Sequence, residues 1–200
     1  MIAASEALER LRAGNARFVA RAQGESAPLA TDGALALPQV QEPIAIVLGC
    51  SDARVPAEMV FDQGPGDLFV IRVAGHVVAP SQLGSIEFAA SSFGTRLVVV
   101  LGHSRCGAVK ATLAALADPE LPASRSLQTI VNFIRPGIEA QLADGGGPED
   151  LLRRAVRANV QAAVERVRRD SEILRRMIAD EGLAVVGAEY SLESGRVDFY

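Results

Sequence analysis

Five residues in two short stretches carry the chemistry this chain could do. In Cys50-Ser51-Asp52-Ala53-Arg54 a thiol, a carboxylate and a guanidinium stand at alternate positions, directly after the apolar run Ile44 to Gly49. A second apolar run, Leu97 to Gly102, gives way to His103-Ser104-Arg105-Cys106. The chain has two cysteines and two histidines in all, and both cysteines and one histidine stand at these two run ends. His103 and Cys106 are three residues apart across the start of a predicted helix, so both side chains can face one point, and a helix N-terminus lowers a thiol's pKa. Two sulfurs, one imidazole nitrogen and either Asp52 or a water make a four-coordinate zinc site, tetrahedral at roughly 2.0 to 2.3 Å per ligand. The plainer alternative is a pair of core cysteines with no metal between them.

Those residues need elements to position them. The runs Ile44 to Leu48, Leu68 to Val73, Leu97 to Leu101 and Leu183 to Val186 are apolar without period-two polarity, as in parallel strands covered on both faces. Helical stretches fit between them at Gln82 to Phe93 and Cys106 to Leu116. A long helix follows Pro148, with Leu152, Val156, Val160, Val164 and Val167 on one face, and another is capped by Asp170 or Ser171 and ends at Gly182. Tyr190 to Gly195 reads as a turn into a short antiparallel strand, Arg196 to Phe199. At the start, Ser5 caps an amphipathic helix carrying Leu8, Leu11, Phe18 and Val19, and residues 22 to 43 form a loop with Gly24, Pro28, Gly33, Pro38 and Pro43. The expected fold is therefore α/β: a central, mostly parallel sheet of four strands plus an antiparallel C-terminal edge strand, flanked by helices, with an N-terminal helical arm. One domain spans 1–200, with 1–43 as the helix and loop arm and 44–200 as the α/β core. In such sheets ligands bind beyond the carboxyl ends of the strands, where Cys50 and His103 both fall.

Composition removes several function classes. A net charge of −4, no long basic run and 4% aromatic residues leave no electrostatic footprint for nucleic acid. Glu6, Glu9, Arg10 and Arg12 interrupt the N-terminus, so it has no secretory apolar core, and no long apolar run suggests a membrane span. The expectation is a cytoplasmic protein whose two thiols serve a metal rather than a disulfide scaffold.

The motifs resemble those of the beta-class carbonic anhydrases. The resemblance rests on Cys50-Ser51-Asp52-Ala53-Arg54-Val55-Pro56, Ile71-Arg72 with Ala74-Gly75, Ser85-Ile86-Glu87-Phe88, and Leu101-Gly102-His103-Ser104-Arg105-Cys106-Gly107-Ala108-Val109. It extends from Asn15-Ala16-Arg17-Phe18 through Asn159-Val160 to Gly187-Ala188-Glu189-Tyr190. It implies Zn2+ on Cys50, His103 and Cys106, with Asp52 either taking the fourth position or pairing with Arg54 and leaving it to water. It also implies reversible hydration of carbon dioxide to bicarbonate and a proton by a zinc-bound hydroxide. Two thiolates should make zinc a poorer acid than neutral histidines would, so something must compensate. Asp52, held by Arg54, is suited to accept the hydroxide's remaining proton and aim its lone pair. The plain alternative for that pair is a surface ion pair.

By the same resemblance Phe69, Ala74 and Phe88 line an apolar substrate pocket, Gln41 supplies a side-chain amide and Gly107 a backbone amide. The bland alternatives are core aromatics and a loop glutamine. Two positions depart from the family's common pattern: Val73 and His76 stand where asparagines are usual. His76 is either a proton shuttle or a structural substitute making one hydrogen bond. Some members bind a regulatory bicarbonate through a tryptophan three residues before the first cysteine and an arginine corresponding to Arg72. Val47 occupies the tryptophan's place, so the expectation is the open form, with Asp52 on Arg54 and no such regulation. The family assembles as homodimers or multiples of them, homotetramers included, with the N-terminal helix reaching over the partner. Two other functions remain open on sequence: hydrolysis of carbon disulfide or a related heterocumulene at the same zinc site, and a non-catalytic zinc-stabilised scaffold.

Overall fold

A computed structural model describes residues 2–27, 38–118, 124–144 and 147–200. Its β-branched runs become strands: β1 (Ala45–Gly49), β2 (Leu68–Arg72), β3 (Leu97–His103), β4 (Ala184–Tyr190) and β5 (Val197–Phe199). They form one sheet in the order β2-β1-β3-β4-β5, parallel except for the antiparallel β4–β5 pair at the edge. The central strands β1 and β3 are buried along their whole length, which is why they read as unbroken apolar runs.

Seven α-helices among the described residues cover the sheet: α1 (Ala4–Ala22), α2 (Ala57–Val60), α3 (Pro80–Ser92), α4 (Gly107–Ala117), α5 (Arg125–Ile138), α6 (Pro148–Asp170) and α7 (Glu172–Asp180). Side chains alternate across the strands, so the two faces build two cores. Ile46, Leu48, Val98 and Val100 pack with Ile86 of α3, Val160 and Val164 of α6 and Leu174 of α7. Val47, Val99 and Leu101 face the other way, onto Leu11 of α1 and Phe61. None of these helices is long and apolar enough to cross a membrane.

Several boundaries differ from the sequence expectation. Ser5 does not cap α1: Ala3 holds the cap position with no side-chain bond, so the helix starts without a polar stop. The helix lies on its own chain's sheet, sealed by buried Asn15, whose Nδ2 donates to Val60 O (3.0 Å) and Gly195 O (2.9 Å) while its Oδ1 accepts from Val197 N (2.9 Å). Arg17 and Arg21 complete this seam by pairing with Asp62, each at 2.5 Å. The helix α5 was not anticipated, because Pro136 sits inside it; Ser124 caps it by accepting from Leu127 N, and Val131, Ile134 and Ile138 form its buried stripe. β3 and β4 also run further than their apolar stretches, to His103 and Tyr190, because parallel pairing of Leu97–His103 with Ala184–Tyr190 continues through polar residues. Ser171, not Asp170, caps α7 by accepting from Leu174 N. Pro28 and Gly33 of the expected loop lie outside the described residues.

Candidate metal centre

The carboxyl ends of β1 and β3 are neighbours, since Gly49 pairs with Leu101, so the residues that follow each strand emerge side by side. Cys50, His103 and Cys106 meet there, each offering a ligand atom, all within 4.8 Å of one another and all buried. Cys106 is the N-cap residue of α4, so the helix's positive end lies at its sulfur. Both cysteines are free thiols.

The surroundings of these atoms fit a divalent soft-metal ion such as zinc. The Nδ1–H of His103 donates to Ser104 O at 3.0 Å, which leaves Nε2 as the lone-pair nitrogen. That Nε2 is buried and has no hydrogen-bond partner. A buried polar atom without a partner is costly, and a metal lone-pair bond removes the cost. The thiols tell the same story. Cys106 hydrogen-bonds Cys50 and, against the opposing pull of burial, holds it well below the usual thiol range, helped by His103 and by the Gly75 N–H. The same bond and burial push Cys106 up. Two buried sulfurs this close to each other and to an imidazole nitrogen are a donor set whose protons a cation can replace.

Asp52 and Arg54 flank this trio. Arg54 grips the carboxylate from its Nε (2.9 Å to Oδ1), its Nη2 (2.8 Å to Oδ2) and its backbone N–H (3.0 Å to Oδ1). These bonds, Arg54's side chain foremost, keep Asp52 ionised far below the ordinary carboxylate range. Its Oδ2 is 3.9 Å from His103 Nε2, close to the ligand atoms yet committed to Arg54. Arg72, at the end of β2, donates to Cys50 O (3.1 Å) and Asp52 O (2.6 Å), tying the loop that carries both side chains to the sheet edge.

Carbonic anhydrases are similar to this chain in both sequence and fold. The family model described as carbonic anhydrase matches residues 45–197. Carbonic anhydrase 2 of Mycobacterium tuberculosis is 41% identical over 192 residues, covering 95% of this chain and 89% of its own length. The carbonic anhydrase of Mycolicibacterium smegmatis is also 41% identical, covering 96% and 91%. Among solved structures, the beta-carbonic anhydrase CafA of Aspergillus fumigatus superposes with a TM-score of 0.73 at 27% identity, covering 80% of this chain and 76% of its own. A tetrameric beta-carbonic anhydrase from Sordaria macrospora superposes at 0.70 with 27% identity, covering 80% and 81%. The chain belongs to the beta-class carbonic anhydrases.

For a carbonic anhydrase, the remaining expected site residues divide into two groups. Ala74 and Gly107 are at the centre: Ala74 precedes Gly75, whose N–H donates to Cys50 Sγ at 3.4 Å, and Gly107 is the exposed first residue of α4 directly after Cys106. The other three are elsewhere in the chain. Gln41 is exposed before β1, beside Gly66, at the amino ends of the strands. Five strand residues at about 3.3 Å each separate that end from Cys50, so the chain does not bring its own Gln41 to its own centre. Phe69 and Phe88 pack on each other and on Phe93 at the outer flank of β2 and α3, with centroids 5.6 to 6.2 Å apart, and Phe88 is 55% exposed. Neither the core position nor the pocket position expected for Phe88 describes it within one chain.

His76 is fully enclosed, and burial lowers its pKa to about 4. Its Nε2 lies 3.0 Å from Nδ2 of Asn159, a single hydrogen bond, while Nδ1 is buried without a partner. Within one chain the ring is sealed from solvent and makes the one hydrogen bond that the structural alternative described. Two contributors were not identified as site residues from sequence: the Gly75 N–H, and Asn159 in the middle of α6. The available signal was an asparagine beside the apolar face of a long helix, a position where only a buried partner justifies a polar side chain.

Proposed function

We propose that this protein is a zinc enzyme catalysing the reversible hydration of carbon dioxide to bicarbonate and a proton. The observation that carries this is the convergence of Cys50, His103 and Cys106, with the buried Nε2 of His103 left without a hydrogen-bond partner. These three residues would hold the metal, leaving one position to solvent while Asp52 stays on Arg54. Zinc held there supplies Lewis acidity that lowers the pKa of water towards about 7 and so makes a nucleophile available near neutrality.

The chain's own groups do the rest. Asp52 accepts a hydrogen bond from the nucleophile and fixes the direction of its lone pair, and Arg54 keeps that carboxylate ionised and in place. Gly107, at the start of α4, offers a backbone N–H to the oxygen that becomes negative as carbon is attacked. The proton leaves past Asp52 and Arg54, whose side chains form the solvent-facing rim of the site at 18% and 59% exposure.

Gln41, Phe69 and Phe88 take their substrate-contacting roles only at the centre of a second copy, since within one chain they lie away from it. The exposed Phe88 and Met59 are apolar surface that such a copy would cover. We therefore assign a homodimer or a homotetramer, the latter being the state named for the Sordaria macrospora relative. The same reading keeps 1–200 as one domain and places it in the cytoplasm, where both thiols stay reduced.

Zinc content measured together with stopped-flow hydration of carbon dioxide tests the proposal, with carbon disulfide as a second substrate. One zinc per chain and rapid hydration are expected. Turnover of carbon disulfide alone would make it a heterocumulene hydrolase, and zinc without turnover of either would make it a scaffold.

A further inference from the structure

Between β2 and α3 the backbone does something unusual. Gly75 and His76 are consecutive and both left-handed, at φ 68° and 43°. For His76 that conformation is intrinsically unfavourable and persists only where the surroundings fix it. Gly75 has no room for a side chain: a Cβ would lie 2.7 Å from Ile134 Cδ1 of α5 and 3.0 Å from Ala108 Cβ of α4. The His76 ring lies against Gly102 of β3, where a Cβ would stand 3.4 Å from His76 Cε1, an ordinary contact, and 2.4 Å from Val160 Cγ2, a clash.

Asn159 fastens this turn. It is 5% exposed, and its Nδ2 donates one hydrogen to Gly75 O at 3.1 Å and the other to His76 Nε2 at 3.0 Å. Both bonds together fix the neutral ring with its proton on Nδ1 and anchor the peptide between Gly75 and His76. The N–H of Gly75, on the preceding peptide just across its Cα, donates to Cys50 Sγ at 3.4 Å. We propose that Asn159 is a positioning residue for the metal centre, acting through Gly75 and His76 to hold a hydrogen bond on the Cys50 sulfur. The inference rests on the metal reading above.

The chemistry gives that bond a purpose. A dithiolate centre loses acidity because its sulfurs donate charge to the ion. A hydrogen bond on one sulfur withdraws part of that charge, so the ion remains a better Lewis acid. Asn159 thereby supplies, from a helix that contributes no ligand, part of the compensation that two thiolates require.

Cobalt substitution tests this, because the sulfur-to-cobalt charge-transfer band reports charge on the thiolates directly. Native protein, Asn159→Leu and Asn159→Ser are compared, each loaded with one cobalt per chain, and zinc affinity is measured in parallel. Leucine keeps the shape and removes both donors. The band is expected at longer wavelength in Asn159→Leu, with zinc Kd raised about 10- to 100-fold, and at an intermediate position in Asn159→Ser, which keeps a single donor. Asn159→Ser also carries the test if the leucine variant does not fold. A native band position in a variant that binds cobalt, even one with a lower melting temperature, would show Asn159 to be structural only and overturn the inference. Native protein that takes up no cobalt would instead sink the metal reading, and the inference with it.

Discussion

Two regions of this molecule are built from the same parts to different ends. At the seam between α1 and the sheet, a buried asparagine, Asn15, stitches a helix to two backbone segments, and an aspartate, Asp62, is held by arginines. At the carboxyl ends of β1 and β3, another buried asparagine, Asn159, stitches a helix to a turn, and Asp52 is held by Arg54. At the seam, three of the four side-chain hydrogen-bonding positions of Asn15 are used, both N–H donors among them. At the centre the accounts are left open: His103 Nε2 and His76 Nδ1 are buried without partners, and two free thiols face each other. Satisfied polar groups hold a fold together, whereas tolerated deficits mark where it is meant to bind something.

That contrast can be broken at either end, and the effects should rank by region. Cys106→Ser is expected to have the largest effect, abolishing stoichiometric zinc and reducing carbon dioxide hydration to the level of metal-free protein; a variant retaining both would dissolve the centre. Asp52→Ala should keep its zinc and lose activity by about 10- to 100-fold, as for outer partners of a metal site; unchanged turnover would reduce the Asp52–Arg54 pair to a surface ion pair. At the seam, Asn15→Leu strands Val60 O, Gly195 O and Val197 N, so urea unfolding should show about 2 to 3 kcal/mol lost with kcat unaltered. An equal loss of kcat would mean that the two regions are not separable.

The smallest effect concerns acid. Burial raises the Asp62 pKa, but the hydrogen bonds from Arg17 and Arg21 more than offset it, so the folded value is lowered. The stabilisation from Asp62 is thus present above the unfolded carboxylate value of about 3.9 and disappears as pH falls through the lower folded one. Asp62→Asn should weaken stability at pH 7 and flatten its decline below about pH 4. A decline as steep as in the native chain, read from urea midpoints, would assign acid sensitivity to other carboxylates.

Much of the architecture was legible because strands buried on both faces have to be apolar throughout, and β1 and β3 are. The candidate ligands were legible because thiols and an imidazole placed just past two such strands have few other uses. α5 was hidden by Pro136, since a proline near a helix's end looks the same in sequence as one that breaks it. The roles that the family resemblance implies for Gln41 and Phe88 attach to a residue type without saying in which copy it would act. His76 was ambiguous for a different reason: its burial depends on Gly102 and Asn159, residues remote from it in the chain. Asn159 was legible only as a polar interruption on a long helix, because the turn it fastens lies 83 or 84 positions away.

The order of strands in the sheet has a consequence for biogenesis. β1 lies between β2 and β3, and its neighbour on the ligand side is the later of the two, so Cys50 leaves the ribosome well before the segment that completes its cage. Until β3 docks, the first sulfur is an unguarded nucleophile and the nascent chain has no place to sequester an ion. On the proposed metal reading, capture comes late in maturation, and brief oxidative stress should harm newly made chains far more than finished ones.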